Sequence, residues 1–116
     1  NGGFTLPNGA MRAADAAWIT NAKWDNIPFY DKKRFSHICP DFVIELLSEK
    51  DSLKVLQEKM EEWIENGCRL AWLIDSKHKK VHIYKPNRET IIQGFDKELS
   101  GEDVLPEFIL DLKEIL

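Results

Sequence analysis

An acidic residue, Glu45, interrupts a run of apolar residues in the middle of the chain. The run covers residues 42–47 and reads FVIELL. Nearly continuous apolar sequence of this length is typical of a β-strand that is covered on both faces. A carboxylate buried in such a strand costs several kcal/mol unless it is paired, protonated or bound to a cation. The sequence therefore predicts a partner for Glu45.

A lysine on the following segment is one candidate for that partner. Residues 53–64 have the apolar spacing of an α-helix, at about 100° per residue. The predicted apolar face comprises Leu53, Leu56, Met60, Trp63 and Ile64, with Val55 at its edge. Lys59 lies on the flank of this face. Two interpretations stay open: its stem packs along the helix while its ammonium reaches solvent, or it is a functional cation beside Glu45.

A second acid is needed if Glu45 binds a metal ion. Asp41 lies on the same face of the strand, but four residues of strand span about 13 Å. Two carboxylates that share one Mg²⁺ must nearly touch, because each oxygen lies about 2.0–2.1 Å from the ion. The second ligand must then come from a neighbouring strand, about 4.8 Å away. Asp15 is the acid in another strand-like segment, so Asp15 and Glu45 could bind one metal with Lys59 reaching over from the helix.

Such an acid–acid–lysine site has a recognisable chemistry. The lysine could orient or activate a water, or stabilise charge that develops on a phosphate. Other constellations are weaker: His37 and Cys39 are too few to make a zinc site. No phosphate-binding glycine loop is present, and no nucleophile elbow surrounds Ser48. Trp24 is a candidate for stacking on a base, whereas Trp63 and the other two tryptophans are predicted to be core.

Composition limits the class of protein. The chain has 116 residues, 43% of them hydrophobic, and a formal net charge of −4. These values predict one globular domain without a broadly basic nucleic-acid coat. The basic clusters at 32–34 and 77–80 are interpreted as solvated loops. No apolar segment approaches membrane-spanning length, so a cytoplasmic location is expected. Because the chain begins with Asn1, a fragment of a longer protein is also expected.

The elements that must position the site follow from turn and periodicity signals. We predict a hairpin around Pro7-Asn8-Gly9, a strand over 11–19 (a short helix is the alternative), and a polar surface loop over 21–39. The main helix starts at Asp51 or Ser52 and stops at Asn66-Gly67. Further predicted elements are strands at 70–74, 81–84 and 90–95 and a short helix at 111–116. The order predicts an α/β or α+β fold with one main helix on a sheet.

The string PDFVIELLS at residues 40–48 resembles the signature strand of the bacterial "putative restriction endonuclease" family, which is assigned to the PD-(D/E)XK nuclease superfamily. Residues 59–63, Gly67 and residues 69–75 continue the resemblance. Upstream, Arg12-Ala13-Ala14-Asp15 with Trp18 is similar to the family's other acid-bearing strand, and residues 99–106 are similar to its tail. The likeness covers nearly the whole chain.

The resemblance implies a mixed β-sheet with a main helix packed on it and a Mg²⁺-dependent site that cleaves DNA phosphodiesters, with Mn²⁺ as an alternative ion. It would make Asp15 and Glu45 the catalytic metal ligands. The superfamily usually has a lysine two residues after the second acid, where this chain has Leu47. Lys59 would then be the displaced catalytic lysine.

The resemblance also sets expectations for organisation and partners. Residues 1–116 would form a single restriction-endonuclease-like domain without the N-terminal helical part that family members usually carry, which would leave one sheet face uncovered. DNA is the expected partner, a homodimer is a further expectation, and no membrane partner is expected. Two rivals stay open: a catalytically silent DNA-binding or self-associating module of the same fold, and a Glu45–Lys59 pair that serves stability alone.

Overall fold

The computed structural model describes residues 4–8, 11–12, 14–21, 25 and 39–115. In chain order its elements are β1 (Phe4–Thr5), β2 (Met11–Arg12), β3 (Ala16–Trp18), β4 (Phe42–Leu47), α1 (Leu53–Glu65), β5 (Leu70–Asp75), β6 (Lys80–Tyr84), β7 (Ile91–Gly94), β8 (Leu99–Ser100), β9 (Ile109–Leu110) and α2 (Leu112–Ile115). The main sheet has the strand order β3-β4-β5-β6-β7. Only β4 and β5 pair in parallel, and the other neighbours are antiparallel. The predicted mixed sheet is confirmed.

Helix α1 is the crossover between the two parallel strands. It begins after Ser52, whose hydroxyl accepts a hydrogen bond from the Val55 N–H, as expected of an N-cap. Asp51, the other predicted cap, instead accepts bonds from the backbone and hydroxyl of Ser48. The helix ends at Asn66, and Gly67 follows with a φ of +118°, a conformation that glycine adopts without a steric penalty.

The sheet has a hydrophobic core on each face. Side chains from α1, the β1 strand and the inward positions of β4 and β5 form the first core, which includes Val43, Met60, Trp63 and Leu73. The second core lies on the opposite face and includes Phe42, Trp72, Leu99, Val104 and Leu112. The segment that follows β7 therefore covers the second face. The expectation that a sheet face would be left uncovered is wrong for the part of the chain that the structure describes.

The helix differs from its predicted wheel at the first turn. Val55 is 60% exposed and Leu53 is 37% exposed, although both were predicted on or beside the packing face. Leu53 borders a cleft at the carboxyl ends of β4 and β5, and Val55 borders another cleft beside Arg12. The first turn therefore faces clefts rather than the core, whereas Met60 and Trp63 are fully buried.

The predicted strand over 11–19 is broken in two. Residues Met11–Arg12 pair with β1, and Ala16–Trp18 pair with β4 instead. Asp15 lies in a bend immediately before β3 rather than inside a strand. The break arises because this segment changes its pairing partner from the hairpin to the main sheet. The helical alternative is not adopted at the described positions of this segment.

Some predictions concern residues outside the described ranges, and some elements of the structure were not predicted. Trp24, His37 and the basic cluster at 32–34 lie outside them. The short pair of β8 and β9 was not predicted, and α2 spans only four residues of the predicted 111–116. Within the ranges that the structure describes, no helix is long and apolar enough to cross a membrane.

Candidate active site

The buried acid of the central strand has two partners on the helix above it. Glu45 is 3% exposed. The Lys59 ammonium lies 2.9 Å from its Oε2 atom. The indole N–H of Trp63 donates to the same Oε2 atom at 3.1 Å. The predicted cost of burying Glu45 is therefore offset by one cation and one neutral donor.

Helical geometry explains why both partners reach one carboxylate. Lys59 and Trp63 are four residues apart, so they lie on the same side of α1, one turn from each other. Trp63 is fixed by complete burial and by an edge-to-face contact with Phe4, with ring centroids 6.1 Å apart. The Lys59 side chain is 26% exposed, so it extends from the buried carboxylate towards the surface. The structure thus places Lys59 beside Glu45, and a functional role for this lysine stays a prediction.

The register of β3 on β4 places Asp15 next to Glu45. Ala16 pairs with Ile44 in the antiparallel ladder, so continuing the register by one residue puts Asp15 opposite Glu45. The Oδ2 atom of Asp15 accepts a hydrogen bond of 2.7 Å from the backbone N–H of Leu46, the residue after Glu45. Asp15 is exposed. The structure thus brings together the three residues predicted from the sequence, one from the β3 bend, one from β4 and one from α1.

Each of the two carboxylates uses one of its two oxygens to bond with the protein. Glu45 directs Oε2 to its helix partners and Asp15 directs Oδ2 to a backbone donor. Within the described residues, neither Oε1 of Glu45 nor Oδ1 of Asp15 has a hydrogen-bond partner of its own. Two carboxylate oxygens suit Mg²⁺, which typically binds one or two carboxylates and completes its shell with water and substrate phosphate. A cluster of three or more histidine, cysteine or acidic ligands is absent from the described part of the chain. The donor set therefore fits a hard divalent ion.

A cleft of about 350 Å³ opens beside Lys59. Its walls are Arg12, Val55, Glu58, Lys59 and Glu62. The Arg12 guanidinium makes a bidentate pair with the Glu62 carboxylate through Nε and Nη2. Asn8 also donates to Glu62, at 3.3 Å. Glu62 therefore fastens the β1–β2 hairpin, which leads to Asp15, onto the helix that carries Lys59.

Asp41 and Leu47 take structural roles. Asp41 accepts bonds from the Thr20 N–H at 2.9 Å and from Arg69 at 3.2 Å. These bonds connect the start of β4 to the ends of neighbouring segments. Leu47 is partly buried and packs against the first core. The lysine that contacts Glu45 comes from α1 instead.

A second polar cleft, of about 460 Å³, lies at the carboxyl ends of β4 and β5. Two of its acids, Asp51 and Asp75, accept hydrogen bonds within local turns. Burial raises the pKa of Asp75, but hydrogen bonds from the His78 side chain and backbone outweigh that effect and leave the pKa below its usual value. Hydrogen bonds from Ser48 lower the pKa of Asp51. Both acids are therefore ionised at neutral pH and stabilise the two turns that border this cleft.

Comparison with known proteins identifies the family and a solved structure with a similar fold. The Uma2 family model, described as "Putative restriction endonuclease", matches residues 1–113. The chain belongs to the Uma2 family. A solved structure with a similar fold is described as "a putative nuclease belonging to DUF820" from Anabaena variabilis; it is 25% identical to this chain, with a TM-score of 0.63 over 70% of it. The Uma2 chain spans 46% of that protein. A search of curated proteins found no match to this chain.

Sequence reasoning missed the part that Trp63 takes in the site. Trp63 was predicted to be core, and it is fully buried, but its indole N–H also binds Glu45. The available signal was the spacing of four residues between Lys59 and Trp63 on the helix that faces Glu45. A tryptophan N–H is a donor that seeks a partner when it is buried. That rule, applied together with the need of Glu45 for a partner, would have predicted the bond between Trp63 and Glu45.

Proposed function

We propose that this Uma2 protein is a divalent-metal-dependent nuclease that hydrolyses DNA phosphodiester bonds. Asp15 and Glu45 hold the ion, Mg²⁺ or Mn²⁺, and Lys59 is the catalytic lysine. The proposal rests on two carboxylates from neighbouring segments, because Asp15 bonds the backbone of Leu46, the residue that follows Glu45. Each carboxylate has one oxygen engaged by the protein and one without a partner among the described residues. Family membership and the nuclease-like fold support the same conclusion.

The residues divide the chemistry between them. A bound divalent ion supplies positive charge that polarises a phosphoryl oxygen. Asp15 and Glu45 keep their carboxylates in place through bonds that use only Oδ2 and Oε2. Lys59 extends from Glu45 to the adjoining cleft, so its ammonium can stabilise negative charge on a phosphate bound there.

The alternative function is a catalytically silent DNA-binding module of the same fold. The close contact between Lys59 and Glu45 is compatible with this alternative, because a pair that serves stability alone would have the same geometry. The two functions differ in one measurable respect. A silent module binds DNA with a strong salt dependence and does not cleave it when metal is added.

A cleavage assay with matched variants tests the proposal. Supercoiled and linear DNA are incubated with Mg²⁺ or Mn²⁺ and with wild-type protein, Asp15→Asn, Glu45→Gln or Lys59→Met. We expect metal-dependent cleavage by the wild type and a loss of at least about 100-fold in each variant. Asp103→Asn is the control, because Asp103 is an exposed acid in a different cleft, beside Arg69 and Lys85.

Two results would contradict the proposal. Cleavage that survives unchanged in Glu45→Gln and Lys59→Met would show that another site is responsible. Salt-dependent DNA binding by the wild type, without cleavage under any metal, would favour the silent module. Circular dichroism of each variant separates a chemical defect from a loss of fold.

A further inference from the structure

The hydrogen bond from Trp63 has a consequence for the way in which Glu45 meets a ligand. Two donors, the Lys59 ammonium and the Trp63 indole N–H, converge on the single atom Oε2. A carboxylate has two equivalent oxygens, and rotation about its last torsion is nearly free when nothing holds it. Convergence of both donors on one oxygen removes that freedom. The other oxygen, Oε1, has no hydrogen-bond partner among the described residues.

We infer that Trp63 is a positioning residue for Glu45. It holds Oε2 from the core side, so that Oε1 is the oxygen presented to the divalent ion. Lys59 cannot do this alone, because its flexible ammonium has three donors and could bridge both oxygens of the carboxylate. The Trp63 ring is held by its packing, since it is fully buried and contacts Phe4. This inference rests on the proposed metal site and specifies which atom of it binds.

The energetic argument follows from hydrogen bonding to metal ligands. Groups that orient a metal ligand without touching the ion typically change metal affinity by about 10- to 100-fold when they are removed. Without the Trp63 N–H, Lys59 can take both oxygens of Glu45 and compete directly with the ion. The dissociation constant for Mg²⁺ should therefore rise.

The chain offers a matched control for this substitution. Trp72 is also fully buried, on the other side of the sheet. Its indole N–H has no hydrogen-bond partner among the described residues. Trp63→Phe and Trp72→Phe therefore remove the same atoms from two cores, but only the first removes a donor to Glu45. Any difference in metal affinity between them reports the hydrogen bond rather than lost packing.

Calorimetric titration of Mg²⁺ into wild type, Trp63→Phe and Trp72→Phe tests the inference. We expect the dissociation constant to rise about 10-fold or more in Trp63→Phe and to stay within about twofold in Trp72→Phe. Equal affinity in wild type and Trp63→Phe would overturn the inference while leaving the metal site intact. A wild type that binds no metal would overturn the proposed function and the inference with it.

A spectroscopic readout makes the assignment direct. The four tryptophans give four indole N–H signals in a ¹H–¹⁵N spectrum, and Trp63→Phe identifies one of them. We expect Mg²⁺ to shift this signal more than that of Trp72. The Glu45→Gln variant should shift it without metal, because the acceptor loses its charge. A Trp63 signal that responds to neither change would overturn the inference.

Discussion

Removal of the Lys59 charge should destabilise the protein much more than removal of the pair to which it belongs. In Lys59→Met the long apolar stem is kept and the ammonium is lost. Glu45 then stays buried, with the Trp63 N–H as its remaining hydrogen-bond donor. In the double variant Glu45→Leu with Lys59→Met, neither charge remains to be compensated.

The magnitude follows from the geometry of the pair. Nζ and Oε2 lie 2.9 Å apart, and at an effective dielectric constant of about 20 two unit charges at this distance attract by about 6 kcal/mol. Desolvation offsets most of that attraction in the intact pair, but truncating one partner of a buried pair costs about 3–5 kcal/mol. Because the Lys59 side chain is 26% exposed, water can approach the vacated position. We therefore expect about 3 kcal/mol for Lys59→Met and about 1 kcal/mol for the double variant, in which no charge is left unpaired but the buried Trp63 N–H loses its acceptor.

Urea unfolding of the wild type, both single variants and the double variant measures this cycle. With an m-value of about 1.5 kcal/mol/M, the Lys59→Met midpoint should fall by about 2 M. Lys54→Met is the control, because Lys54 is an exposed lysine on the same helix, and its effect should stay within about 0.5 kcal/mol. A loss of less than about 1 kcal/mol in Lys59→Met would refute the reasoning. So would a double variant as unstable as Lys59→Met.

Two further predictions concern pH and DNA binding. Burial lowers the pKa of His82 by more than the nearby Asp75 carboxylate raises it, so below about pH 6.5 the unfolded chain binds a proton that the folded chain does not. The free energy of unfolding should therefore decrease from pH 7 to pH 5, by at most about 1.4 kcal/mol per pH unit from this group. Chemical denaturation at several pH values measures this dependence, and His82→Leu should remove the contribution of His82 to it. A pH dependence that is the same in His82→Leu and wild type would contradict the assignment. Arg12 borders the cleft beside Lys59, so Arg12→Ala should reduce the slope of log affinity against log salt by about 0.9 in metal-free DNA binding. Arg69→Ala is the control and should leave this slope unchanged, because Arg69 is also paired with a carboxylate but lies in another cleft. Equal slopes in wild type, Arg12→Ala and Arg69→Ala would exclude a phosphate contact by Arg12.

The features that could be read from the sequence are those that local chemistry determines. The charge of Glu45 among apolar neighbours predicted a buried acid that needs a partner, and the helix wheel put Lys59 at the edge of the packing face. Ser52 and Gly67 limit the helix through side-chain capping and a left-handed backbone, which depend on a few adjacent residues. These predictions were confirmed because each rests on interactions within one element or between an element and its immediate neighbour.

The features that were missed depend on the meeting of distant segments. The alanines around Asp15 show no alternation that would reveal a change of pairing partner, so the bend before β3 was hidden. Val55 is exposed because a cleft, and not the sheet, lies beside the first turn of α1. Whether the Trp63 N–H meets an acceptor depends on the register between α1 and β4. Trp72 illustrates the other outcome, since its buried N–H has no hydrogen-bond partner among the described residues.

The most direct test of the proposed metal site is calorimetric titration of Mg²⁺ and Mn²⁺ into the wild type, Glu45→Gln and Asp15→Asn. Both substitutions keep the size and shape of the side chain and remove its charge, and circular dichroism establishes that each variant is folded. We predict that the wild type binds one divalent ion and that each variant binds it at least about 100-fold more weakly. Wild-type protein that binds neither ion, or variants that bind as tightly as wild type, would contradict the assignment of Asp15 and Glu45 as the metal ligands.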